Sequence, residues 1–554
     1  MAMREFAAAV AAFRLEELAA HLHGNLEAGL NACTECCDRY AETAPDRPAL
    51  YWESHDGRSA TYSFAQMQAL SARCANFLSD QGVRAGDVVA GLLPRIPELL
   101  VTILGTWRVG AVYQPLFTAF GPKAIEHRLA LSKAKLVVTD AANRPKLAEV
   151  QGAPPVAVVS PEGHPGGQPG DLDFAVEVAR RDPAFAPVLR RGDDAFLMMF
   201  TSGTTGLPKG VSVPLKALLS FLVYMRDAVD LRAEDSYWNI ADPGWAYGLY
   251  YAVTGPLLMG HATTLYDGPF TAESTYRIIE KLGITNLAGA PTAYRLLIAA
   301  GPDAAASVKG RLRAVSSAGE PLNPEVIRWF ADHLATTIHD HYGQTEIGMV
   351  VCNHHALAHP VHPGSAGLAM PGYRVAVIDE NDQELPPNRP GILAVDIAHS
   401  PLFWFSGYYE QSGPSMAGGY HRTGDTVELE TDGSISFVGR SDDIITSSGY
   451  RIGPFDVESA LIEHPAVIEA AVVGKPDPER TELVKAFVVL QAEAMPSAAL
   501  AEELRQFVKH RLSAHAYPRE IEFVQQLPKT PSGKLQRFIL RNQERTKAVE
   551  LATP

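Results

Sequence analysis

At 554 residues the chain exceeds what one hydrophobic core supports, so at least two domains are expected. Its 46% hydrophobic and 20% charged residues suit an ordinary globular protein, and a net charge of −15 argues against a nucleic-acid binder. No apolar stretch approaches the ~18 residues of a membrane span, and five cysteines argue for a reducing, cytoplasmic location without disulfides.

The N-terminus faintly imitates a secretory signal, but Glu5, Glu16 and Glu17 spoil it, and residues 6–13 read as helix. Cys33, Cys36 and Cys37 lack a second pair of metal ligands and read as packing, as does Cys74 on an apolar helical face. Ser63 with Gln66 forms a capping box that opens a helix to about Asp80, stopped by Gly82. Strand 88–93, helix 97–109, strand 111–115, helix 125–132 and strand 136–139 follow. Residues 163–170 are a loop by composition, and 262–265 and 284–288 continue the strands. This alternation predicts an α/β fold with parallel sheets covered by helices on both faces. Near residues 440–443 the character changes to a compact α+β unit: helix 454–463, strands 467–473 and 483–490, helix 498–512 and strand 521–524. The expected division is a large domain over 1–441 and a small one over 442–554.

The chain centres on residues 200–211, FTSGTTGLPKGV, which follow an apolar strand-like run, 195–200. Hydroxyls, glycines and one lysine are poor core material but suit a loop folded round phosphates. The spacing of Gly203, Gly206 and Lys209 is not that of the common P-loop. Four further stretches carry chemistry: Ala318-Gly319-Glu320-Pro321; Asp340-His341-Tyr342-Gly343-Gln344-Thr345-Glu346; Tyr420 to Asp425; and Gly439-Arg440-Ser441-Asp442-Asp443. The second offers an aromatic face, polar donors and a carboxylate able to hold Mg²⁺. Ser447-Ser448-Gly449-Tyr450-Arg451 and Pro528 to Arg537 complete the set. Gly533-Lys534 imitates a P-loop end, but Leu535 breaks that pattern.

In this order and separation, the six stretches and the loop resemble the adenylate-forming superfamily of acyl-CoA synthetases, peptide-synthetase adenylation domains and luciferases. The resemblance spans nearly the whole chain and implies a large adenylate-forming domain with a small mobile C-terminal lid. It implies that Thr201, Ser202, Gly203, Thr204, Thr205, Gly206 and Lys209 cradle phosphates of ATP. Tyr342 packs on adenine opposite Gly319, Glu320 and Pro321, within a nucleotide site that includes Asp340, His341, Gly343 and Gln344. Thr345 meets the α-phosphate, Glu346 the Mg²⁺, Asp425 the ribose, and Arg440 ribose or phosphate. Asp442 is the hinge; Ser448, Gly449, Tyr450 and Arg451 swing in to line a pantetheine tunnel; and Lys534 is the catalytic lysine.

The implied chemistry joins two anions: a carboxylate oxygen attacks the α-phosphorus of ATP and expels pyrophosphate, so the barrier is electrostatic and positional. No Gly-x-Ser-x-Gly elbow is present or needed. A thiol then attacks the acyl-adenylate. Only twenty residues follow Lys534, which favours free coenzyme A as acceptor, with Arg480, Lys509 and Arg519 as cations for it and Tyr517 to stack on its adenine. Trp245 and Tyr247 are expected at the acyl pocket, and Gly343, where acetate-activating relatives carry tryptophan, is expected to leave room for a larger acid. Residues 439–465, 476–478 and 485–490 are especially similar to medium-chain acyl-CoA synthetases, favouring a medium-chain, branched or aromatic acid over acetate or propionate. The alternatives are a carrier-protein-loading enzyme, a luciferase-like oxygenase and a non-catalytic nucleotide-binding module. An accessible Lys534 also suggests control by a lysine acetyltransferase and deacetylase.

Overall fold

The computed structural model describes residues 4–160, 167–201, 208–410, 417–447, 450–477, 480–512, 516–530 and 534–552. Helix Phe64–Asp80 opens as its sequence dictates: Gln66 N–H donates to Ser63 Oγ at 3.3 Å, and Ser63 N–H donates to Gln66 Oε1 at 2.8 Å. It buries Phe64, Met67, Cys74 and Phe77 and packs on helix Pro97–Arg108. The two helices meet at Gly105, where an added Cβ would lie 2.6 Å from Cys74 Sγ, so only glycine permits this approach.

Among the described residues, seven strands form the first sheet, in the order 210–214, 195–200, 112–115, 88–92, 136–140, 156–159, 172–173. It is parallel except for the 195–200/210–214 hairpin. A ten-stranded sheet begins parallel (237–239, 286–289, 314–318, 338–344) and continues antiparallel through 348–352, 365–369, 435–440, 420–429, 390–396 and 375–378. The expectation of parallel sheets thus holds for part of the molecule. The antiparallel half lacks intervening helices and left no alternation to read. A small three-stranded sheet pairs 48–54 with 59–63 and 263–267.

The fold is a large N-terminal α/β domain followed by a smaller one with its own sheet (445–447, 450–452, 467–477, 481–490, 520–523) and its own core around Val457, Leu461, Val472, Val488, Leu504 and Val508. The five cysteines are all free and buried, as expected for packing residues.

One charge lies deep in the large domain. The Arg108 guanidinium donates to Asp38, to Ser71 Oγ at 3.2 Å and to the Phe185 carbonyl at 3.2 Å; its side chain is 3% exposed and that of Asp38 6%. Removing one partner leaves the other buried and uncompensated. Asp38→Ala is therefore expected to cost about 3–5 kcal/mol in a denaturant melt, and an unchanged midpoint would contradict this.

Candidate active site

Strand Ala195–Phe200 turns back as strand Gly210–Pro214, and Thr201 N–H donates to the Lys209 carbonyl at 3.0 Å, closing a hairpin. Its tip, with Ser202, Gly203, Thr204, Thr205 and Gly206, lies outside the described residues. At its base the Lys209 ammonium stands 4.6 Å from the centre of the Tyr408 ring. Tyr408 in turn donates its hydroxyl to Glu346 Oε1 at 2.8 Å. Tyr408 was not read from the sequence, because it stands alone in a loop with no motif around it.

The strand Ile338–Gln344 carries the richest stretch. Side chains alternate across a strand, so Asp340 and Tyr342 face one side and His339 and His341 the other. The bulge between Tyr342 and Gly343 then redirects the chain. Around Asp425 the structure gathers Tyr342, whose hydroxyl donates to Oδ2 at 2.5 Å, Gln344 Nε2 at 3.0 Å, and Arg440 Nη1, which donates to Oδ1 at 3.2 Å. Asp425 and Arg440 are cross-strand partners, so the sheet register itself sets this ion pair. Burial pushes the Asp425 carboxyl above its ordinary value, opposed by Arg440 and the Tyr342 and Gln344 donors. Burial also raises Glu346, opposed by Tyr408.

Asp340 is buried; its Oδ2 accepts from Leu322 N–H at 3.4 Å, and its Oδ1 has no hydrogen-bond partner. Burial holds this carboxyl well above its ordinary value. An orphaned buried oxygen in the same stretch as Tyr342 suits a ligand that brings N–H donors, as the exocyclic amine of adenine does. Gly319 adopts φ +97° with open space where a Cβ would stand, while Glu320 is tied to Thr292 (3.0 Å) and Arg295 (3.2 Å). Thr345 receives the Tyr250 hydroxyl on its carbonyl at 3.0 Å. For Mg²⁺, Glu346 keeps Oε2 beyond its bond to Tyr408, and no cluster of three ligating side chains occurs among the described residues. A cation there would take its remaining ligands from phosphate and water, as Mg²⁺ commonly does.

Three expectations are corrected. His341 does not turn its ring to this site; Nδ1 meets the Tyr224 hydroxyl at 2.9 Å and Nε2 the Asn353 carbonyl at 3.0 Å, in the interior. Gly343 does not leave room: an added Cβ would lie 2.3 Å from the Gly348 carbonyl oxygen and 2.7 Å from Met349 Sδ. Glycine is needed there because the next strand passes so close. Tyr517 is 7% exposed, part of the small-domain core, with Arg519 and Lys509 already 4.1 and 5.5 Å from its ring centre, so it has no free face for a base.

Trp245 packs on Phe117 and Phe120, each 5.4 Å between ring centres, and Tyr247 lies edge-on to Tyr251 at 5.9 Å. Asp442 lies 3.8 Å from Arg440. Tyr450 and Arg451 lie on a strand paired with Ile445–Ser447; Ser448 and Gly449 lie outside the described residues. Arg480 donates its backbone N–H to Asp477 at 2.8 Å. Lys534 is exposed, its backbone N–H on Thr530 Oγ1 at 3.0 Å, and among the described residues no ion pair joins its ammonium to Glu346 or Asp425. The structure thus brings Tyr342, Gln344 and Arg440 together around Asp425, and Lys209 and Tyr408 together beside Glu346.

The model of AMP-binding enzymes matches residues 37–409, and that of the AMP-binding enzyme C-terminal domain matches residues 456–534. The chain is 40% identical over 534 residues to an acetyl-coenzyme A synthetase of Bacillus subtilis (92% of this chain, 90% of the other). It is 36% identical to the human mitochondrial acyl-coenzyme A synthetase ACSM4 (90% and 87%). The crystal structure of an acyl-CoA synthetase from Brucella canis is 64% identical and superposes with a TM-score of 0.81 over 99% of this chain and 100% of the other. The motifs, the two-domain fold and these matches agree: the chain belongs to the AMP-binding enzyme family.

Proposed function

We propose that the protein is an AMP-forming acyl-CoA synthetase, and the observation that carries this reading is the buried Asp425 held by Tyr342, Gln344 and Arg440. Such a carboxylate offers two acceptor oxygens to the two hydroxyls of a ribose. Tyr342 supplies an aromatic face for adenine opposite Gly319–Pro321, and the orphaned Asp340 oxygen accepts from its amine. Thr345 meets the α-phosphate, and the segment 201–210 with Lys209 holds the outer phosphates. Mg²⁺ bound through Glu346 would supply positive charge against the phosphates.

The acid's carboxylate oxygen attacks the α-phosphorus, the bond to the β-phosphate oxygen breaks, and pyrophosphate leaves. The thiol of coenzyme A then attacks the acyl carbon, the bond to AMP breaks, and the thiol proton is lost to solvent. Lys534 serves the first step by sitting between the two anions. For this the small domain, from residue 442 on, turns about Asp442 to bring the lysine in and to take it away again. A pose with Lys534 withdrawn suits the second step, with residues 447–451 lining the thiol's path and Arg480, Lys509 and Arg519 facing the phosphates of coenzyme A. The free buried thiols fit a cytoplasmic enzyme, and the exposure of Lys534 fits its control by acetylation.

For the acid we favour a medium-chain, branched or aromatic one, because Trp245, Phe117 and Tyr247 present half-buried aromatic surface. The crowding at Gly343 favours a second reading, a short acid such as acetate or propionate.

Three outcomes are expected. Lys534→Ala should slow acyl-AMP formation at least ~100-fold, the scale of one lost charge-stabilising donor, while thioester formation from preformed acyl-AMP changes far less; equal losses would contradict a turning domain. In hydroxamate trapping, hexanoate, isobutyrate or benzoate should outpace acetate, and a preference for acetate would establish the second reading. Because burial raises Glu346, its carboxylate is lost as pH falls at higher pH than an exposed glutamate would be. Apparent Mg²⁺ affinity should weaken over that range in the native enzyme but not in Glu346→Gln, and identical pH profiles would count against its role.

A further inference from the structure

The helix Arg537–Ala552 starts three residues beyond Lys534 and runs back to the hinge. Arg541 Nη1 donates to the Asp442 carbonyl at 2.6 Å and to Asp443 Oδ1 at 2.5 Å, and the Arg541 and Asp443 side chains are only 13% and 12% exposed. One turn earlier, Arg537 grips Glu458 with two bonds, 2.8 and 2.6 Å, and lies 3.9 Å from Asp443 Oδ2. Glu458 also accepts from Val472 N–H at 2.8 Å, so this end of the helix is fixed to the small-domain sheet. Further along, Glu544 meets the buried Lys485 at 2.9 Å.

On the other side of the hinge, Ser441 belongs to the large domain. Its N–H donates to the Gly424 carbonyl at 3.0 Å, and its hydroxyl pairs with Thr426 Oγ1 at 3.0 Å. Between the two anchored points the chain makes a tight turn about Asp442, in which Asp443 N–H donates to the Arg440 carbonyl at 2.9 Å and Ile444 N–H to the same oxygen at 3.2 Å.

We propose that Arg541 is a positioning residue for acyl-AMP formation: by tying the Asp442 carbonyl and the Asp443 carboxylate to the helix that follows Lys534, it confines domain turning to Asp442 and so fixes where the lysine arrives. This rests on the roles of Lys534 and Asp442 given above. A freed hinge leaves Lys534 chemically intact but poorly delivered. Nucleotide contacts on the large domain are untouched.

The test measures acyl-AMP formation in Arg541→Ala, in the milder Asp443→Asn, and in both the native and Lys534→Ala backgrounds. Arg541→Ala should lower kcat by about 10- to 100-fold, the scale of a misplaced catalytic group, with KM for ATP unchanged. Asp443→Asn should show a smaller loss of the same kind. In the Lys534→Ala background, Arg541→Ala should cost nothing more, since its effect passes through the lysine. Native kcat in both single variants would overturn the inference, as would an equal further loss on top of Lys534→Ala, which marks a merely structural role. If Lys534→Ala alone left acyl-AMP formation intact, the reading beneath would fall instead, and a loss confined to the Arg541 and Asp443 variants would show it.

Discussion

Arg440 stands between two carboxylates, 3.2 Å from Asp425 and 3.8 Å from Asp442. In the proposed reading the first carboxylate meets the ribose and the second marks the hinge, so one guanidinium touches both. Burial opposes ionisation of Asp425, and Arg440 offsets it. The pair is fixed by the register of adjacent antiparallel strands, which makes the site as rigid as the sheet that carries it.

That rigidity suits a reaction whose difficulty is electrostatic. Two anions must approach each other, and the protein can supply preorganised positive charge only if the site is shaped before they arrive. The large domain contributes the fixed part: Lys209 over Tyr408, Tyr408 on Glu346, and the Tyr342, Gln344 and Arg440 cradle. In the proposed reading the small domain contributes the movable part. A single lysine cannot stay between carboxylate and phosphate once a thiol must enter from the same side, so division into a fixed bed and a swinging arm follows from the chemistry.

Much of this was legible in the sequence, because local rules and global fold agree where elements are short-range. The Ser63/Gln66 capping box, the buried parallel strands and the apolar cysteines all stand as their patterns implied. What escaped was of longer range. Tyr408 meets a carboxylate 62 residues away, and Arg541 meets a carboxylate 98 residues away; neither sits in a pattern that periodicity reveals. Gly343 was misread for a related reason: a missing side chain means space only if nothing else fills it, and the returning strand at Gly348–Met349 does. The alternation of strand 338–344 could have removed His341 from the nucleotide side had the strand's extent been known.

The most direct test of the account is isotope exchange between pyrophosphate and ATP by the purified full-length protein with Mg²⁺ and a panel of carboxylic acids, in the absence of coenzyme A. Acid-dependent exchange that disappears in Asp425→Ala is the predicted result. Exchange that needs no acid, or no exchange with any acid while coenzyme A ligation still proceeds, would contradict an acyl-adenylate made in the bed around Asp425.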